Sequence, residues 1–310
     1  MSFNPWTASA PGSLMLLGEY AVLYGKKAIV CAIDKRIHVT LQPRRDEQLM
    51  IHSALGEYTA SIHHITMEPP LQFVLGTLQS HRLPQGCEIT ITAEFAGDLG
   101  LGSSAAVTVA LSKALNQWLQ RTLSQEQLWR ETKAIMTRVQ GNGSGADLAA
   151  SIYGGTLAFQ NNPLQITPLQ YSPQLCVIYS GKKTITTQAI HIVAERREKN
   201  PKFFQQLDKQ IHQISMQAIP AINQQNWKTL GALFNEAQTH MNTLGVSNTV
   251  LEDIIQTLRR QPTVCGAKIS GSGLGDCVIG LGYLENKIFP QNEQQHQLGV
   301  TQLGVTIDAH

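Results

Sequence analysis

The chain has 310 residues, which at roughly 100–200 residues per domain suggests about two domains. Its 24 basic and 22 acidic residues leave a net charge of +2, too balanced for a nucleic-acid binder that must neutralise many phosphates. Hydrophobic residues make up 42%, enough for a substantial core, yet no apolar run approaches the roughly 18 residues that span a bilayer. Neither a nucleic-acid nor a membrane partner is therefore expected. Five scattered cysteines, never in a CxxC pair, read as reduced thiols and point to the cytoplasm. The first residues lack the basic and apolar regions of a signal peptide.

In chain order, residues 28–41 alternate around Ile29, Cys31, Ile33, Ile37 and Val39, as a strand pair would. Residues 88–95 alternate cleanly, with Ile89, Ile91, Ala93 and Phe95 on one face, the pattern of a half-buried strand. From Ser104 the period changes. Val107, Leu111, Ala114, Leu115 and Trp118 share one helical stripe. Ser124-Gln125-Glu126-Gln127 has the form of a capping box opening a second helix that ends before Gly141. Prolines 163, 168 and 173 mark a change of texture, and the spacing places a domain boundary near 165. A short strand is expected over 175–179. Asn200-Pro201 then starts a long helical stretch reaching about Leu244. Ser247 is expected to cap a further helix running to Arg260, stopped by Pro262. Residues 264–270, 277–284 and 298–307 read as strands, and a tandem QLGVT spans 297–306.

Four small-residue segments carry the chemistry. Gly100-Leu101-Gly102-Ser103-Ser104-Ala105 lies at a strand-to-helix transition. There, converging backbone N–H groups and the helix dipole suit a phosphate, and the serine hydroxyls can reach a phosphate or magnesium. A tight turn with serine caps is the alternative. Walker A spacing is absent: the Gly18 to Gly25-Lys26-Lys27 segment has no Ser or Thr after the lysine. A dinucleotide fingerprint also fails, because the preceding strand is not wholly apolar. Asp147 follows Gly141-Asn142-Gly143-Ser144-Gly145 and can orient or deprotonate an attacking hydroxyl, or simply cap a helix. Ser270-Gly271-Ser272-Gly273 sits in a loop longer than a hairpin needs, suited to close ligand approach or merely flexible. Glu19 and Tyr20 end a turn beside apolar strand sequence, as site-lining or turn residues.

Taken together, Pro11-Gly12, Gly18-Glu19-Tyr20, the Gly100–Ala106 loop and Lys268-Ile269-Ser270-Gly271-Ser272-Gly273 resemble the three motifs of the GHMP kinases. The resemblance implies an α+β fold: a ribosomal S5 domain 2-like N-terminal domain over 1–165 and a ferredoxin-like C-terminal domain over 166–310. It implies ATP with its phosphates against Gly100, Leu101, Gly102, Ser103, Ser104 and Ala105, and Mg2+ held with the help of Ser103. Asp147 matches the catalytic aspartate. Glu19, Tyr20, Ser270, Gly271, Ser272 and Gly273 match substrate or phosphate loops. The γ-phosphoryl group would pass to the hydroxyl of a small molecule. Residues 18–29 are similar to the mevalonate-pathway branch, which implies mevalonate as acceptor and 5-phosphomevalonate as the alternative. A homodimer is compatible with this reading. Two positions depart from the pattern. Ser13 stands where the family has a lysine, and Met136 falls where a magnesium-binding glutamate is expected. Lys182 and Lys183 are the expected replacement cations, and the departure at Ser13 keeps a non-catalytic ligand sensor as a rival reading.

Overall fold

A computed structural model describes residues 5–97, 99–182, 186–289 and 295–308. Its hub is a pair of long antiparallel strands, β1 (Trp6–Leu17) and β2 (Ala28–Pro43). The segment expected to be a strand pair is thus one strand of 16 residues. Asp34-Lys35-Arg36 at its middle offers no glycine or proline to turn the chain. The local change is absorbed instead by a register shift in β1 between Pro11 and Ser13. This length lets β2 serve two partners. Its first half pairs with β6 (Thr156–Asn161), and its second half with β5 (Cys87–Ala93).

The β3–β4 hairpin (Gln48–Ser53, Gly56–Ser61) joins beside β5, and β7 (Leu164–Pro168) hangs on β6. The sheet is covered by α2 (Ser103–Trp118) and α4 (Ala146–Tyr153), against which α1 (Gln72–Gln79) and α3 (Gln125–Gln140) pack. Of the expected stripe of α2, Leu111, Ala114 and Leu115 are buried, while Val107 and Trp118 are half-buried. The expected capping box opens α3, with the Ser124 hydroxyl accepting from the Gln127 N–H and the Gln127 side chain accepting in return.

The second sheet holds β8 (Leu175–Tyr179), β9 (Val264–Ser270), β10 (Cys277–Gly282) and β11 (Gln295–Leu298), all antiparallel, in the order β11-β8-β10-β9. Around it lie α5 (Thr186–Lys199), α6 (Pro201–Asn223), α7 (Trp227–Leu244) and α8 (Thr249–Arg259). The long helical stretch begins at Pro201 as expected but breaks in two. Gln225 adopts φ 55°, and Asn226 caps α7 by accepting from the Thr229 N–H. The cap of α8 is Asn248, one residue after the expected Ser247, whose hydroxyl instead donates to Glu252.

The architecture is α+β. Its first sheet draws on both sides of position 165, because β7 crosses it and β12 (Thr306–Asp308) returns to pair with β1. The two QLGVT copies accordingly part company. The first contributes Gln297 and Leu298 to β11, and the second leads into β12. Arg36 fastens this return, donating to Ser9 and to the Leu303 and Gly304 carbonyls. One core runs through both sheets, with Leu14 and Val30 packed in the same cluster as Val177 and Ile279. Among the described residues no helix is long and apolar enough to cross a membrane.

Candidate active site

The cleft between the two sheets is floored by a backbone arrangement that only glycine-rich sequence permits. Gly100 and Gly102 hold φ of 71° and 70°, left-handed values that side chains other than glycine rarely adopt. Any Cβ at Gly102 would also overlap the Ser13 hydroxyl. This close approach is fixed from the other side by Ser13, whose N–H donates 2.9 Å to the Leu101 carbonyl. Leu101 itself is buried under the loop. Gly102 then begins α2 with no side-chain cap, so the first-turn amides, with their dipole, are turned to the cleft. Ser103, Ser104 and Ala105 all line it. The Ser103 hydroxyl donates 3.1 Å to the Gly97 carbonyl, which leaves its oxygen lone pairs available.

Asp147 enters from a second glycine turn. Gly145, with φ 83°, is the N-cap of α4, and the Trp129 indole N–H holds its carbonyl at 2.9 Å. Asp147 is therefore not the cap. Its carboxylate instead accepts a 2.9 Å hydrogen bond from the Ser13 hydroxyl. Burial pushes the Asp147 carboxyl above the usual carboxylate range, and the Ser13 hydroxyl partly offsets this by stabilising the charged form. A carboxylate raised in this way is a better base at neutral pH. The position that carries lysine in the resembled family thus holds a small donor wedged between the glycine loop and the acid.

The third motif is tied to the first by three bonds. The Ser270 hydroxyl donates 2.9 Å to the Met15 carbonyl, and the Tyr20 phenol donates 2.5 Å to the Ser272 carbonyl. Glu19 forms a buried ion pair with the fully buried Lys268. Burial lowers the Lys268 pKa and the Glu19 charge counteracts it. Glu19, Tyr20, Ser270, Gly271 and Ser272 line the cleft. Gly273 lies behind them against Val246, and the Leu274 N–H donates 2.7 Å to the Val246 carbonyl.

The cleft encloses about 230 Å³. Lys182 is exposed and does not line it; its carbonyl accepts from the Asp276 N–H at 2.8 Å and its N–H donates to the Ser180 hydroxyl at 3.4 Å. Lys183 lies outside the described residues. Met136 does line the cleft, with its thioether 3.6 Å from the Thr108 hydroxyl. Lys133, the one basic side chain lining the cleft among the described residues, is not among the residues expected from the sequence. A signal was available, since Trp129, Lys133, Met136 and Gln140 recur at helical spacing just before the turn that delivers Asp147. Among the described residues no cluster of three His, Cys, Asp or Glu side chains forms a metal site.

Two family regions match this chain: the GHMP kinases N terminal domain over residues 71–155 and the GHMP kinases C terminal region over 218–293. A mevalonate kinase of Archaeoglobus fulgidus is 33% identical over 274 residues, covering 88% of this chain and 91% of that protein. The fold is shared with the Methanococcus jannaschii mevalonate kinase, at a TM-score of 0.81 and 20% identity over 95% of this chain and 98% of the other. It is shared too with a Streptococcus pneumoniae phosphomevalonate kinase, crystallised with phosphomevalonate and AMPPNP, at 0.75 and 18% over 90% and 92%. The first region spans the glycine loop and Asp147, the second spans the loop that closes over them, and the identity runs through nearly the whole length. The chain belongs to the GHMP kinase family, and it is an ATP-using kinase that phosphorylates an alcohol on a small molecule.

Proposed function

We propose that this kinase transfers the γ-phosphoryl group of ATP to the hydroxyl of mevalonate, with Asp147 as the base. The observation that carries the mechanism is the Ser13–Asp147 hydrogen bond beside the uncapped start of α2. It sets one lone pair of the carboxylate on Ser13 and leaves the other oxygen for the acceptor hydroxyl. As the acceptor oxygen bonds to the γ-phosphorus, the bond from that phosphorus to the bridging oxygen breaks and ADP departs with the electron pair. The hydroxyl proton passes to Asp147. Backbone amides of Ser103, Ser104 and Ala105 stabilise the phosphoryl charge without reorganising.

The donors in the cleft also fit magnesium, which keeps several waters and asks for only one or two carboxylates beside phosphate oxygens. Ser103 would help hold it, whereas the Met136 thioether cannot serve a hard cation. When bound, the metal supplies further neutralisation of the phosphates. Support for mevalonate as acceptor comes from the Archaeoglobus relative named for that activity. It also comes from the single basic side chain lining the cleft among the described residues, which favours an acceptor of low charge over 5-phosphomevalonate. Free cysteines at all five positions suit the reducing cytoplasm.

The test is ADP release measured in parallel with mevalonate, 5-phosphomevalonate, galactose and homoserine. Turnover highest on mevalonate is expected. Faster turnover on 5-phosphomevalonate would transfer the assignment to that acceptor, and ATP binding without ADP release on any of them would favour a sensor.

A further inference from the structure

Lys133 projects from α3 into the cleft, and its ammonium is bonded only to neutral groups. It donates 2.5 Å to the Gly143 carbonyl and 3.4 Å to the Thr137 hydroxyl. An ammonium carries three N–H donors, so one remains without an acceptor among the described residues. None of the ion pairs among those residues includes it, and burial holds its pKa below the usual lysine range. A half-buried cation whose only partners are neutral is compensated just in part by water, and the compensation expected in such a cleft is an anionic ligand. The surroundings indicate which anion. Met136, one helical turn on, touches Thr108, whose hydroxyl donates 2.8 Å to the Ser104 carbonyl in the first turn of α2. On the other flank, a Cβ at Gly145 would lie 3.2 Å from the Lys133 side chain, two residues before Asp147. Lys133 therefore stands between the phosphate loop and the turn that carries the base.

We propose that Lys133 is a catalytic residue, the cation that meets the γ-phosphoryl group of bound ATP. This rests on the kinase reading above. Its function is local: Ser13 has no charge to offer, and Met136 cannot anchor a metal. An ammonium at Lys133 neutralises the transferring group directly, where the side chain at 136 does not.

The test uses Lys133→Met and Lys133→Arg in the full chain, with Lys133→Gln should the methionine variant fail to fold. Binding is titrated without acceptor, using ADP and the β,γ-imido analogue of ATP. For Lys133→Met, a weakening of about tenfold or more is expected for the imido analogue, with little change for ADP, together with a loss of about 100-fold in turnover. Lys133→Arg should recover much of both. Equal weakening for the two nucleotides would overturn the proposal and reduce Lys133 to a prop for the Gly143 loop. Unchanged nucleotide binding with a raised KM for the acceptor would overturn it in favour of an acceptor anchor. Because the titration needs no acceptor, it reads Lys133 even if wild-type protein turns over none of the alcohols offered; that second result would instead defeat the acceptor assignment.

Discussion

Asp147 and Ser13 form a hydrogen-bonded unit, in which Ser13 holds one carboxylate oxygen and leaves the other for the proton the proposed mechanism removes from the acceptor. As the proposed base, Asp147 would work only when ionised, so kcat/KM should fall as pH drops through its raised pKa, at a higher pH than an ordinary carboxylate would give. The Ser13 hydroxyl stabilises the ionised form. Ser13→Ala removes that stabilisation, raises the pKa further, and should move the acid limb of the kcat/KM profile to higher pH. A limb that stays put would mean that another group controls it. Asp147→Asn keeps the acceptor for Ser13 but abolishes the base, and turnover should fall by about 10²–10⁴-fold. The same substitution relieves a desolvated charge. Since a carboxyl with a raised folded-state pKa destabilises the fold wherever it is ionised, the ligand-free variant should melt no lower than wild type at pH 7, and a few degrees higher is expected. At this scale, much of the site was legible. The glycines before Asp147 drew notice to it, although a helix N-cap was the alternative use, and the structure gives that place to Gly145. Ser13 stood out as a departure, but its partner is 134 positions away and no local pattern could name it. Lys133 was hidden among apolar helix neighbours, as lysines usually read as solvated.

The strand-to-helix element around Gly102 has the least room for change. Gly102→Ala combines a left-handed backbone costing about 1–2 kcal/mol for any other residue with an overlap at the Ser13 hydroxyl. The loop must shift, and the Ser13–Asp147 bond shifts with it. Nucleotide titration should show weakened binding, and turnover should fall further than binding because the base is displaced as well. Retained turnover would place the phosphates elsewhere. Elements announced by strong local chemistry were legible in the sequence. The Ser124 capping box, the Pro201 start and the period change into α2 all coincide with observed boundaries. The break between α6 and α7 was not, because its left-handed residue is Gln225, where no glycine or proline signals a turn. The unbroken length of β2 was also missed. Its two halves alternate alike, and only the choice of partner, β6 or β5, distinguishes them.

Across the whole molecule, the Glu19–Lys268 pair joins the turn after β1 to β9 and connects the two sheets at the cleft. Breaking one member leaves the other buried and unpaired, at about 3–5 kcal/mol. Lys268→Met should thus lower the urea midpoint sharply. Glu19→Gln combined with Lys268→Met should recover much of that loss, since neither charge then remains. Additive losses in the double variant would show that the pair contributes packing rather than charge compensation. The boundary near 165 followed a real change in texture, yet composition cannot reveal that β12 belongs with β1. That return has a temporal side. Ser9 and Thr306 share a 3.0 Å hydrogen bond across 297 positions, so during synthesis the outer edge of β1 waits unpaired until residues near 306 have been translated. Over that interval it is an open strand edge, the kind of surface that invites pairing with other chains. Ribosome-bound intermediates of this kinase should therefore depend on chaperone cover at their N-terminal sheet until residues near 306 emerge.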